Sequence, residues 1–320
     1  MTACASTMQA PGISVLMSVR NGLPYLESAI ESICSQTYRD WEFIIVDNAS
    51  SDGTPQVIER FAQADPRIQF VQNRRDLGHS GGLNRGLELC RAPWIARMDA
   101  DDVALPERLE RQLVFVQQNP DVKTTSCLAH YIDSASHRVG KTVTDLFTRE
   151  AFVRYQNENL CIGLLHPGAL IERSLLAAIG GYRPEFGPAN DIDLWCRISD
   201  HGLILVQPEY LMEYRIHGGS LSAQSFELAR LKHLWARDCM IARRSGQPEP
   251  TWEAFQEIRN NAPWPTRLNR WRKMQAKRLY RQAAQHRVGA QSMRGLIEMS
   301  LSALLQPGYT IPRLKAQLSK

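Results

Sequence analysis

Short apolar runs alternate with stretches of helical periodicity along the first part of the chain. Ile13–Val19 is rich in β-branched residues, and Glu42–Val46, Ile68–Val71 and Trp94–Met98 are further runs of strand length. Pro24 opens a helical stretch to about Gln36, with Leu26, Ala29, Ile30 and Ile33 on one face. Thr54–Ala64 repeats the pattern with Val57, Ile58 and Phe61, and Ser80–Cys90 follows a turn at Gly78. Strands separated by helices in this way predict βαβ units and a mainly parallel central sheet flanked by helices. A helix over Pro106–Gln118 and a strand over Lys123–Tyr131 continue the alternation.

Residues 132–165 are more polar and less periodic, and read as an insertion with a short helix near Thr148–Gln156. Order returns with a strand over His166–Glu172, helices over Ser174–Ile179 and Asp191–Ser199, and strands over Leu203–Val206 and Tyr210–Arg215. After Gln224 the chain turns helical and basic, so the expected division is an α/β domain over 1–224 and a helical extension over 225–320. Residues 225–320 hold 18 Lys+Arg and 6 Asp+Glu, a net of +12, which leaves 20 basic and 27 acidic residues and a net of −7 in 1–224. Such asymmetry points to a polyanionic partner for the tail. No apolar run approaches the roughly 20 residues that span a bilayer. Met1–Ala10 has neither a basic nor an apolar signal region, and the seven cysteines are dispersed without metal spacing, so a cytoplasmic setting is expected.

In parallel α/β sheets ligands bind beyond the carboxyl ends of the strands. Four polar segments fall there: Ser18-Val19-Arg20-Asn21-Gly22, Asp47-Asn48-Ala49-Ser50, Asp76-Leu77-Gly78-His79, and Arg97-Met98-Asp99-Ala100-Asp101-Asp102. Asp99 and Asp101 stand two apart, so an extended chain points both carboxylates the same way. Such a pair suits a divalent cation, Mg²⁺ or Mn²⁺, that bridges substrate phosphates. A plain acidic turn before the helix opened by Pro106 is the structural alternative. There is no G-x-G-x-x-G after the first strand and no G-x-x-x-x-G-K-[ST], which argues against a dinucleotide cofactor and against a P-loop nucleotidase. A nucleotide diphosphate held by carboxylates and a divalent ion is what remains.

With these pieces in order, residues 12–220 resemble a family 2 glycosyltransferase of the GT-A fold. The matching segments are Ile13–Asn21, Ser35-Gln-Thr37 before Phe43–Asp47, Gly78 through Asn84 and Gly86, Asp99-Ala-Asp101-Asp102 with Pro106, Gly180-Gly-Tyr182, Asp191–Arg197, and Tyr214-Arg-Ile-His217. The resemblance implies a nucleotide-sugar pocket of Ser18, Arg20, Asn21, Asp47, Gly78, Asn84 and Asp99. It implies a metal site of Asp99, Asp101 and His217, with Mn²⁺ or Mg²⁺ as cofactor, and Asp191 as the general base of an inverting transfer. Two departures stand out: Asn190-Asp191 where the family often has Glu-Asp, and Arg20 where it often has an aromatic residue. Trp195 and Arg197 read as helix packing and support.

The expected activity is transfer of a sugar from a nucleotide-diphosphate donor to a glycan or lipid-linked acceptor in cell-surface polysaccharide synthesis. A sugar-1-phosphate nucleotidyltransferase would need a glycine-rich basic loop after the first strand, which Ser18–Gly22 does not provide. A binding protein on the same fold is the non-enzymatic alternative. In the tail, Arg267, Arg270, Arg272, Lys273, Lys277, Arg278, Arg281 and Arg287 lie in a stretch without an acid, with Trp264, Leu268, Trp271 and Leu279 on roughly one helical face and Met274 at its edge. Residues 264–287 read either as a contact with the anionic inner face of the cell membrane or as a cationic helix packed by its aromatic side. Nucleic acid is the weaker partner, since no recognition module accompanies the charge.

Overall fold

The computed structural model describes residues 10–217, 225–287 and 293–318. The signal-segment reading of Met1–Ala10 falls outside them except for Ala10, and the expected boundary at 224/225 borders residues 218–224, which are also outside. The chain divides into two compact units, 1–249 and 250–320.

In the first unit the strands are β1 (Ile13–Val19), β2 (Trp41–Asp47), β3 (Ile68–Gln72), β4 (Trp94–Arg97), β5 (Val103–Ala104), β6 (Val122–Ile132), β7 (Arg138–Lys141), β8 (Leu170–Glu172) and β9 (Leu203–Arg215). They form one sheet in the order β3-β2-β1-β4-β8-β6-β9-β5, with β7 hydrogen-bonded to β6. β3, β2, β1 and β4 are mutually parallel. β8 runs antiparallel between β4 and β6, and β6 is parallel to β9, so the whole sheet is mixed. Every residue of β1 and β2 is buried, as expected where helices cover both faces of a parallel sheet.

The helices of this unit are α1 (Leu26–Cys34), α2 (Thr54–Ala64), α3 (Gly78–Leu87), α4 (Arg108–Gln118), α5 (Arg149–Asn157), α6 (Arg173–Ala178), α7 (Asn190–Ile198) and α8 (Phe226–Arg244). α8 lies beyond the change in charge yet belongs to the first unit. Its Trp235 stacks on Phe186 at 4.0 Å, and its Arg243 and Arg244 hold Asp200 at 2.6 and 2.7 Å.

Three local outcomes differ from the sequence pattern for identifiable reasons. Residues 166–168 form a 3-10 turn before β8, because Pro167 has no N–H to give a ladder. The two strands expected over 203–215 are one strand, in which Pro208 and Glu209 are absorbed as a bulge: Cys127 pairs Gln207 and Leu128 pairs Tyr210. The polar 132–165 segment contains the hairpin strand β7, turned by the Asp133 carboxylate, which accepts from Ala135 N and His137 N at 2.9 Å each.

Glycines let α3 lie close on the sheet. A Cβ at Gly82 would meet Ser18 Oγ at 2.1 Å, and one at Gly86 would meet Leu16 Cδ1 at 2.3 Å and Val46 Cγ2 at 3.0 Å. Gly86→Ala should therefore push α3 off β1 and β2 and destabilise the fold by about 1–3 kcal/mol, read as a lowered denaturant midpoint. An unchanged midpoint would show that this packing yields without strain.

The second unit contains α9 (Trp252–Asn260), α10 (Trp264–Arg287), α11 (Met293–Leu305) and α12 (Pro307–Leu318). Ala276, Ala283 and Met299 are buried in it, and Ser302 Oγ donates to Ala276 O at 2.7 Å and sits 2.8 Å from Thr310 Oγ1. Tyr280 and Tyr309 meet edge to face at 5.7 Å.

Candidate active site

Parallel registry brings the strand ends together. Ser18 pairs Val46, Val19 pairs Asp47, and Leu16 pairs Arg97, so the segments after β1, β2 and β4 leave the sheet along one edge. Asp47 is fully buried there, and its carboxylate accepts from Ser50 N at 3.2 Å and Gln72 Nε2 at 3.4 Å. Asn21 takes the left-handed conformation, φ 54°, and its Oδ1 accepts from Ser51 N at 2.9 Å. Asparagine tolerates that region better than most residues. The loops after β1 and β2 are thereby tied to each other.

Asn48 organises the third segment. Its amide donates to Asp76 Oδ1 at 2.7 Å and Gly78 O at 3.1 Å, and its carbonyl accepts from Asn73 Nδ2 and Leu77 N at 3.0 Å. Gly78 has φ +71°, which favours glycine, and its N–H donates to Asp76 Oδ1 at 2.8 Å. Arg20 reaches Asp76 Oδ2 at 2.6 Å across this edge, with both side chains exposed. The guanidinium that replaces the family's aromatic residue is thus held in place by the third segment.

Asp99, Asp101 and Asp102 each offer a carboxylate oxygen, and these lie within 4.8 Å of one another. Arg97 is completely buried directly beneath them. Its guanidinium donates to Asp99 Oδ1 at 2.5 Å and Leu16 O at 3.3 Å, also bonds Met98 O, and lies 3.2 Å from His79 Nε2. Burial works against ionisation of Asp99, but the Arg97 charge, helped by His79 and His166, outweighs it and holds the carboxyl below its ordinary value. Asp101 and Asp102 go the other way: burial raises both, and neighbouring carboxylates add to the effect.

His217 Nε2 lies 2.9 Å from Asp101 Oδ2. Arg215 fixes the trio from β9, its N–H donating to Asp102 Oδ1 and its Nε to Asp101 O, both at 2.8 Å, while its guanidinium lies over the Tyr25 ring. Asp102 Oδ2 is buried and has no hydrogen-bond partner. A buried acceptor without a donor, beside Asp101, whose ionisation is disfavoured, and the ionised Asp99, is an environment that a divalent cation relieves. The residues present fit Mg²⁺ or Mn²⁺: hard oxygen donors, with an imidazole at the rim.

Asp191 stands in the first turn of α7, partly exposed, with Oδ1 accepting from Ile192 N at 2.8 Å. Burial raises its carboxyl to about 6, and the Asp99 charge adds slightly to the rise. The neighbouring Asn190 is buried, and its amide donates to Ser80 Oγ at 2.8 Å, joining α7 to α3. The departure from Glu-Asp thus leaves a neutral tether between two helices. Behind Asp191, Trp195 is wholly buried, and Arg197 donates to Asp193, Ile179 O and Gly181 O at 2.7–2.9 Å, so both side chains support the helix.

Asn84, expected in the nucleotide-sugar pocket, ties α3 to a later segment. Its Oδ1 accepts from Tyr182 N at 2.9 Å and its Nδ2 donates to Tyr182 O at 2.8 Å, clamping the Gly180-Gly181-Tyr182 segment to α3. The Tyr182 hydroxyl is 2.8 Å from His166 Nε2, and His79 meets His166 edge to face at 6.3 Å. Burial pulls His79 down to about 4 and His166 well below its ordinary value, and Arg97 adds to both shifts, so these imidazoles are neutral at physiological pH.

Arg97, Arg215, His166 and Asn48 had no role in the sequence reading. The signal was present for Arg97, a charged residue inside an apolar strand run directly before Asp99. Arg215 stood inside the Tyr214-Arg-Ile-His217 segment without a role of its own, and His166 only at the start of an expected strand.

The glycosyl transferase family 2 model matches residues 14–180. An uncharacterized glycosyltransferase of Methanocaldococcus jannaschii is 31% identical over 214 residues, covering 65% of this chain and 72% of that protein. The O-antigen biosynthesis glycosyltransferase WbnJ of Escherichia coli is 30% identical over 220 residues, covering 65% and 81%. Among solved structures, a mannosyltransferase of Pyrobaculum calidifontis in complex with GDP-Man and Mn²⁺ superposes with a TM-score of 0.57 at 20% identity, covering 97% of this chain and 85% of that one.

Proposed function

Because this chain belongs to glycosyltransferase family 2, we propose that it is a metal-dependent inverting enzyme. It moves a sugar from a nucleotide-diphosphate donor to a hydroxyl of a glycan or lipid-linked acceptor in cell-surface polysaccharide synthesis. The O-antigen relative supports the acceptor class, and the mannosyltransferase neighbour with GDP-Man and Mn²⁺ supports the donor and metal. Contact of residues 264–287 with the anionic inner face of the membrane goes with a lipid-linked acceptor.

One observation carries this reading. Three carboxylates gather at the carboxyl edge of the strands, where ligands bind in such sheets, and Asp191 offers a further carboxyl that burial holds at about 6. Asp191 takes the acceptor hydroxyl's proton as that oxygen attacks the anomeric carbon. The bond from that carbon to the diphosphate oxygen breaks on the opposite face, and its electron pair leaves with the diphosphate, so the anomeric centre inverts. Asp99, Asp101 and Asp102, with His217 beside them, would hold a divalent ion, which when bound would stabilise the negative charge of the departing diphosphate. Asp47, Arg20, Asn21 and Ser18 line the edge that receives the nucleoside, and Gly78 leaves the α3 N-terminus open toward it.

The test is a thermal-shift panel of UDP-, GDP- and dTDP-sugars with and without Mn²⁺. A donor at about a hundred times its Kd adds roughly 2.7 kcal/mol of stability. One nucleotide class should raise the melting temperature, and only with metal. No response to any donor in the presence of Mn²⁺ would overturn the transferase reading in favour of a binding protein for another ligand.

A further inference from the structure

The second unit is far more basic than its size requires. Residues 250–320 contain 13 Lys+Arg and 3 Asp+Glu, a net of +10. It also exposes large apolar side chains in two helical registers. On α10, Trp264, Leu268 and Trp271 recur at helical spacing and are 73%, 52% and 56% exposed. On α11, Ile297, Leu301 and Leu304 repeat the same spacing and are 55%, 44% and 78% exposed. The buried positions of this unit, Ala276, Ala283, Met299 and Ser302, are different residues, so neither exposed stripe is the seam that holds the helices together.

On α10 the helical turn of about 100° per residue puts Arg267 and Arg278 on one flank of the aromatic stripe and Arg272 on the other. Tryptophan suits a boundary where one end of the ring is apolar and the other wet. Arginine and lysine stems lie along apolar surface while their charges reach outward. An apolar stripe carrying tryptophans and rimmed by cations, on a helix without an acidic residue, complements an apolar phase bounded by negative charge. Nucleic acid would meet the cations but leave α11's aliphatic stripe in water. A second copy of this chain would set like charges against each other.

We propose that this unit is an interfacial module that seats α10, together with the aliphatic stripe of α11, on a membrane rich in acidic phospholipid. The surface is built from other residues than the donor pocket, so the two are tested separately.

The experiment uses the full-length protein and sedimentation with vesicles of phosphatidylcholine alone or with phosphatidylglycerol added. Binding to the acidic vesicles should be tighter by well over tenfold and fall with added salt, since each basic residue near such a surface contributes roughly fivefold. The double variant Trp264→Ser, Trp271→Ser changes only exposed side chains. It should lose about tenfold or more in vesicle binding, and Arg267→Glu with Arg272→Glu a similar factor, while the donor-induced thermal shift stays at the wild-type value. Equal binding to neutral and acidic vesicles, or wild-type vesicle binding by the tryptophan variant, would overturn the proposal. So would a tryptophan-dependent dimer that ignores vesicles, or tighter retention on single-stranded RNA than on acidic vesicles. Loss of the donor shift with vesicle binding intact would overturn the transferase reading and leave this surface standing.

Discussion

Asp191→Asn should leave the donor bound and abolish most of the turnover. The amide keeps the size of the side chain and can still accept from Ile192 N, but it cannot take a proton. A general base in place contributes about 10²–10⁴-fold, so kcat should fall within that range while the metal-dependent thermal shift by the donor persists. The wild-type rate should decline with acidity below about pH 6, where burial holds the Asp191 carboxyl, and the residual rate of the variant should lose that limb. The stability effect has the opposite sign. The folded-state value lies above the unfolded one, so the group favours folding at low pH and that contribution is lost as pH rises through about 6. Above that pH the ionised carboxylate costs the native state, and the variant avoids the cost. Since each pKa unit is worth about 1.4 kcal/mol and the side chain is partly open to solvent, the gain at pH 8 should be about 1–2 kcal/mol. A variant that is more stable at pH 8, no more stable at pH 4, and nearly inactive would tie the raised carboxyl to the reaction. Full activity would remove Asp191 from it.

That combination explains which parts of the site could be read in advance. The mainly apolar runs of β1 and β2 are seven residues long, and the four-residue β4 stops directly before an acidic cluster, so their ends, and hence the edge carrying Asp47 and Asp99, follow from local pattern. Asp191 could be placed only by resemblance, because the first acid of a helix is ordinarily a cap. What the pattern does not contain is pairing over distance. Asn84 meets Tyr182 across 98 positions, Asn190 meets Ser80 across 110, and Arg215 meets Asp102 across 113. Each is a polar side chain whose partner is set by how helices and strands dock, not by its neighbours in sequence. The same holds for the bulge at Pro208, which reads locally as a break but is bridged because β6 continues beside it.

The acidic trio gives the second large effect, and its sign depends on what is present. Without metal, Asp101 is a half-buried carboxyl pressed by Asp99, raised by desolvation first and by that neighbour second. Replacing it by asparagine removes a disfavoured charge, so metal-free Asp101→Asn should melt above the metal-free wild type. With Mn²⁺ and donor the order should reverse, because the variant has lost an anionic oxygen from a cluster that fits a divalent ion. Its apparent metal affinity should drop by about 10–100-fold, and kcat/KM, if the ion stabilises the leaving diphosphate, by about 10³-fold. Melting curves with and without Mn²⁺, crossed with a donor titration, check both halves at once. If the variant melted lower than wild type in the absence of metal, the carboxylates would be held mainly by His217 and Arg215 rather than strained by one another. If it kept the wild-type response to Mn²⁺, the ion would not depend on Asp101. Arg97 sharpens the expectation, since its buried guanidinium already offsets one of the three charges at Asp99. Asp101 and Asp102 would then be the carboxylates left for a divalent ion to ionise and bind, which is why the loss of either should weaken the site.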